Sequence, residues 1–292
     1  KEKNTLRQTI FIAFCALSEA KGMDIKMKMN IKTNHTFAVC AYKESPYLEE
    51  CVQSLVEQTV KTNIIIATST PCEYIKRIAE KYGIPMYVRD GESDIRDDWN
   101  FAYDQAETDW VTIAHQDDKY DKDYVRAFLN TVKKTQNPIA FLTDYIPIKN
   151  GKIGARDINS KIRRFLRKPL KNPKRAGKRF WKRAVLSLGN SICCPAVTYH
   201  KSVLGASFFT SELKYNIDWD TFLKLAEADG AMAYTEKPLT FYRVHDDATS
   251  KEFIVDHRRE KDDRIMFAKF WPKWVVSIIM IFYKKAYDTY NH

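Results

Sequence analysis

The sequence predicts an α/β protein with a mostly parallel sheet flanked by helices. Between Thr36 and His115, four strand-like apolar runs alternate with three segments of helical period. Gly, Pro and short polar clusters punctuate the joints, at the spacing that parallel crossovers require. The chain is also long enough for a large core: 292 residues, 45% hydrophobic, with 16 Tyr and 16 Phe.

The elements follow in order. "TFAVCAY" (Thr36–Tyr42) reads as a buried strand that runs into the loop "KESP". "YLEECVQSLVEQT" (Tyr47–Thr59) has Leu48, Val52, Leu55 and Val56 at helical spacing. "NIIIATST" (Asn63–Thr70) is a second strand, closed by Pro71, and "CEYIKRIAEKYG" is a helix stopped by Gly83. "IPMYVRD" is a third short strand. A helix over Asp97–Glu107 and the strand "WVTIAH" complete the alternation. "DYVRAFLNTVKKT" is helical and Ile139–Ile148 is a strand. Ordered structure resumes after Arg183, with a helix over Ile217–Gly230, then a short strand and polar loop in "AMAYTEKPLTFYRVHDDATS". The organisation expected is an N-terminal extension (1–35), a first half (36–148), a basic insert (149–183), a second half (184–250) and an amphipathic tail (251–292).

In parallel sheets of this kind, ligands sit outside the carboxyl ends of the strands. The stretch "VTIAHQDDKY" runs from an apolar strand straight into Asp117 and Asp118 at such an end. Adjacent like charges beside a core need a cation, hydrogen bonds or open water. The loops at Tyr42–Ser45 and Thr68–Thr70 converge on the same crevice.

The formal net charge is +11, unevenly spread. Fifteen Lys or Arg stand against one acid between Lys149 and Arg183, so this segment carries +14 and the remainder −3. An anionic partner is expected to meet the protein there. The six cysteines (15, 40, 51, 72, 193, 194) show no zinc spacing, and reduced thiols in a cytosolic protein are the expectation. Lys1, Lys3 and Arg7 precede the apolar run Ile10–Leu17, a weak leader shape that is disfavoured over a packed helix or a start at Met23, Met27 or Met29. The longest charge-free stretch near the C-terminus, Trp274–Tyr283, covers about 15 Å as a helix, half of the roughly 30 Å bilayer core.

Four blocks in order, "TFAVCAYKESPYLEECVQSLVEQT", "HQDD", "IDWDTFLKLAEADG" and "YRVHDDATS", resemble the family-2 glycosyltransferases of GT-A fold, with its Rossmann-like sheet, over Thr36 to Ser250. The resemblance implies a nucleotide-sugar donor whose diphosphate leaves with a divalent cation, Mn²⁺ or Mg²⁺, held by hard oxygen ligands. Asp117 matches the metal-binding position and Asp118 supports it. His115 replaces the first acid of the family's Asp-x-Asp and can still bond ribose or phosphate. Tyr42 and Glu44 match the base-recognition loop and suit a uracil or thymine, pointing to UDP- or dTDP-sugars. Ser69 stands where an acid usually contacts the base. Asn100 is the expected donor contact near the fourth strand, with Arg96 and Asp98 beside it. Asp218 matches the general base of inverting transfer, preceded by Ile217 where Glu is common, with Asp220 as runner-up. Arg243 matches a diphosphate clamp, and His245 a metal or phosphate ligand.

Phe165, Leu166, Phe180 and Trp181 interleave with the insert's cations, and the tail "FWPKWVVSIIMIFYKK" is aromatic and basic. The pattern suits an anionic membrane surface more than nucleic acid. The expectation is a cytoplasmic enzyme, peripheral on the inner face of the plasma membrane, using a glycan or lipid-linked acceptor in surface-polysaccharide synthesis. The tail also reads as a contact for a homo-oligomer. Two rivals remain. A nucleotidyltransferase-like enzyme needs a Gly-rich phosphate loop, and "AYKESPYLEE" has no glycine. A non-catalytic basic module is kept alive by the departures at Ser69, His115 and Ile217.

Overall fold

The computed structural model describes residues 33–149, 151–154, 158–244 and 258–288. The first strands, β1 (His35–Ala41), β2 (Asn63–Thr68), β3 (Met86–Val88) and β4 (Trp110–His115), are joined by helices α1 (Leu48–Val56), α2 (Glu73–Tyr82) and α3 (Ile95–Gln105). They form the parallel half of the sheet, in the order β3-β2-β1-β4. Successive side chains of β1 alternate between two cores. Phe37 and Val39 pack with α1, α2 and the helix α4 (Tyr124–Val132), while Ala38 faces α3.

Local chemistry sets the helix ends. Gly83 ends α2 at φ 61°, in the left-handed region, and the Ile84 N–H closes on the Ala79 carbonyl at 2.9 Å. Helix α3 starts two residues earlier than the sequence suggests, because the Asp94 carboxylate caps it by accepting from the Arg96 and Asp97 N–H groups.

The sheet then turns mixed. Strands β5 (Lys119–Tyr120), β6 (Pro138–Lys149), β7 (Lys152–Ile153), β8 (Val197–His200) and β9 (Ala231–Val244) extend it as β4-β8-β6-β9-β5, with β7 paired to β6. Strand β8 runs antiparallel to both β4 and β6, and β9 runs parallel to β6. The "short strand" expected after Gly230 is therefore 14 residues long. It passes Pro238 because the pairing with β6 shifts register there, where no ladder N–H is needed.

The basic segment is not a separable insert. It forms α5 (Ile158–Arg167), α6 (Pro173–Ala176) and α7 (Arg179–Ala184), and several of its cations serve the fold. Arg167 is fully buried, with Asp144 of β6 and the Ser191 carbonyl as partners, and Arg164 meets the same Asp144 at 2.7 Å. Lys182 is buried and donates to the Ala228 and Gly230 carbonyls at 2.5 and 2.9 Å. Arg179 and Arg183 both pair with Glu227. After the short α8 (Lys201–Leu204), helices α9 (Ile217–Glu227), α10 (Arg258–Ala268) and α11 (Lys273–Asp288) cover the second face, with Trp219, Phe267 and Met280 in one core. No helix among the described residues is long and apolar enough to cross a membrane.

Candidate active site

Strand pairing builds the crevice. Cys40 of β1 lies opposite His115 of β4, so the loops after both strands emerge side by side. The Gln116 carboxamide prolongs the ladder: it accepts from the Tyr42 N–H at 2.9 Å and donates to the Tyr42 carbonyl at 3.0 Å. The Lys43 N–H donates to Thr70 Oγ1 at 2.7 Å, which ties in the loop after β2. Tyr42 is 46% exposed at this mouth, with Lys43 Nζ 4.9 Å from its ring, and Glu44 is exposed beside it.

Past β4 the chain turns tightly, the Asp118 N–H donating to the His115 carbonyl. One ligand atom each from His115, Asp117 and Asp118 lies within 4.8 Å of the others. Asp118 is 1% exposed. Its Oδ1 accepts from the Arg243 backbone N–H at 2.8 Å. Among the described residues, Asp118 Oδ2 and His115 Nε2 are buried without a hydrogen-bond partner. Burial, with Asp117 adding to it, pushes the Asp118 carboxyl well above the usual range. Burial also lowers the His115 imidazole, keeping a ring nitrogen available as a neutral ligand, while Trp99 stacks on the ring at 5.5 Å. Orphaned buried acceptors, two carboxylates and one neutral imidazole fit a divalent cation of the Mn²⁺ or Mg²⁺ kind.

Arg243 reaches this turn. It is 6% exposed, donates from Nε to the Asp117 carbonyl at 2.8 Å, pairs with Glu50 and covers the Tyr47 ring at 4.2 Å. Glu50 also binds Lys119 at 2.6 Å. Nothing local marks Glu50, since an acid on the first turn of α1 looks like an ordinary helix-start charge.

Ser69 and Asn100 are committed to the protein itself. Ser69 Oγ donates to Asp98 at 3.0 Å, and Asp98 also accepts from Arg89 Nε at 2.7 Å and Ser93 Oγ at 2.8 Å. A carboxylate thus does stand at the end of β2, but α3 supplies it. Asn100 braces the Phe209 backbone, donating to its carbonyl at 2.7 Å and accepting its N–H at 2.9 Å. Arg96 pairs with neighbouring Asp97 on the surface. His245 lies outside the described residues.

Asp218 sits in the first turn of α9, one residue past Ile217, while Asn216 takes the cap position. Its carboxylate accepts from Asn190 Nδ2 and from the Trp219 N–H, both at 2.7 Å. Burial raises it to about 6, against the pull of those two donors and of Arg163. Asp220 points elsewhere, bonded to Ser211 at 2.9 Å and Lys269 at 2.5 Å.

Residues 36–193 match the family model described as glycosyl transferase family 2. No curated protein matches the chain in sequence. Among solved structures, residues 1–349 of S. aureus TarS align over 85% of this chain and 69% of that one, with 15% identity and a TM-score of 0.56. The longer S. aureus TarS has 42% of its length covered, at 16% identity and a TM-score of 0.57. The mannosyltransferase PcManGT from Pyrobaculum calidifontis, in complex with GDP-Man and Mn²⁺, aligns over 82% of this chain and 65% of that one, with 16% identity and a TM-score of 0.57. At such identities the likeness is one of fold.

Proposed function

The chain belongs to glycosyl transferase family 2, and from that premise we propose that it is an inverting, metal-dependent glycosyltransferase acting on a nucleotide-sugar donor. The observation that carries the reading is a pair of acid sites, the turn past β4 and the start of α9. One is the buried Asp118 carboxylate, whose Oδ2 has no hydrogen-bond partner and lies 3.8 Å from His115 Nδ1, beside Asp117; the other is Asp218, raised to about 6.

Asp117, Asp118 and His115 would hold Mn²⁺ or Mg²⁺, whose chemistry is to offset charge developing on a departing diphosphate. Arg243 fixes the Asp117–Asp118 turn by bonding its backbone and Glu50. Tyr42 offers an exposed ring for stacking a base, with the Glu44 carboxylate able to accept from a pyrimidine N–H. That favours a UDP- or dTDP-sugar, and one of the similar TarS structures was solved with UDP. Asp218, held by Asn190 and the Trp219 N–H, takes the proton of the acceptor hydroxyl. The freed oxygen bonds to the anomeric carbon as the bond to the diphosphate oxygen breaks on the opposite face. The acceptor is a glycan or a lipid-linked sugar of a surface polysaccharide.

The test pairs Asp218→Asn with donor hydrolysis and transfer assays. The reading expects transfer to fall about 10²–10⁴-fold, as loss of a general base does, with nucleotide binding intact. Unchanged turnover would remove Asp218 as the base, and a wild type that binds nucleotide without any turnover would leave the non-catalytic binding module as the better account.

A further inference from the structure

Helix α5 is built inside out. Its arginines face the protein: Arg164 and Arg167 pair with Asp144, and Arg163 reaches the Tyr145 hydroxyl at 3.5 Å. Its apolar side faces water: Ile158, Ile162 and Phe165 are exposed to 74%, 51% and 64%. At about 100° per residue these positions form a single stripe, roughly half a turn away from Arg167. A solvated basic helix would show the reverse, with lysines and arginines outward and isoleucines on the core.

The border of this stripe is positive. Lys161 and Lys168 flank it, with Lys168 Nζ 5.0 Å from the Phe165 ring. Further along, Lys174, Arg175 and Lys178 are exposed beside Phe180, itself 72% exposed. Helix α11 repeats the arrangement. Trp274, Ile278, Ile281 and Phe282 are exposed along one side, while Val276 and Met280 pack into the core.

We propose that the α5–α7 face docks on an anionic bilayer surface. Ile158, Ile162, Phe165 and Phe180 enter the headgroup boundary while the surrounding lysines meet lipid phosphates. Apolar insertion and cation–headgroup attraction act together in such binding. Nucleic acid is the poorer match, because bases stack on aromatic rings and leave aliphatic Ile158 and Ile162 without a role. A second copy is also disfavoured, since a two-fold contact would press this basic face against itself. The inference goes beyond the transferase reading and holds whichever sugar or acceptor is used.

Flotation of the full chain with vesicles, at physiological salt, tests it. The wild type is expected to float with vesicles of phosphatidylglycerol and phosphatidylcholine and far less with phosphatidylcholine alone. Ile162→Ser combined with Phe165→Ser should lower the bound fraction about tenfold, with thermal unfolding and nucleotide binding unchanged, because both side chains lie in solvent. Flotation equal in the double variant would overturn the proposal. So would a wild type that ignores both vesicles, whether it forms a dimer that the double substitution dissociates or shifts an RNA probe instead.

Discussion

Asp218, partly buried, and Asp118, fully buried, carry different expectations for substitution. Asp218 ionises at about 6, above its unfolded value near 3.9. The folded state therefore holds this proton more tightly than the unfolded chain. Its contribution to stability falls as pH rises from about 4 through 6, and at neutral pH the ionised group is a burden. Asp218→Asn should stabilise the fold by about 1–3 kcal/mol at pH 7.5 while removing transfer, a combination that chemical denaturation and an activity assay read together. For the wild type, kcat/KM should climb through about pH 6 as the base deprotonates. Asp118→Asn instead removes a ligand, so Mn²⁺ should raise the melting temperature of the wild type and leave that variant unmoved. The acids and His115 were legible because they sit in a contiguous run at a strand end. Glu50, Asn190 and the tie from Gln116 to Tyr42 were not, because their partners lie far away in the chain and nothing in a local pattern marks them.

Helix α5 shows how an element can be legible in its charge and not in its orientation. Its basic composition is plain in the sequence, but its buried face is set by Asp144, more than a dozen residues upstream on β6. Asp144 and Arg167 are each about 1% exposed, so removing the acid alone strands a buried guanidinium. Asp144→Ala should cost about 3–5 kcal/mol in urea unfolding, as broken buried pairs do. Asp144→Ala with Arg167→Met should recover much of that loss, because an apolar pair of similar volume needs no charge compensation. Equal losses in the single and double variants would mean that the two side chains are not coupled. The strands tell a similar story. The parallel order β3-β2-β1-β4 follows from alternating periods, whereas β8 is only four residues long and joins between β4 and β6 from far along the chain.

At the scale of the whole molecule, one sheet gathers everything that the proposed reaction needs. The parallel half presents Tyr42 and the His115–Asp118 turn, and the mixed half brings Arg243 against it through the pairing of β9 with β5. Helix α9 delivers Asp218 from the second half of the chain. The fold class and the first four strands were open to sequence reading because core periodicity is local. The mixed half was not, since its pairings join segments a hundred residues apart. The net charge misled in one respect: part of the basic segment is internal structure, and the outward charge is correspondingly smaller. The central claim is that the acid turn holds a cation against the nucleotide diphosphate. Calorimetric titration of UDP into the wild type and into Asp117→Asn, each with Mn²⁺ and with EDTA, tests it most directly. The account predicts tight binding only for the wild type with Mn²⁺. Equal affinity in EDTA, or in the variant with Mn²⁺, would contradict it.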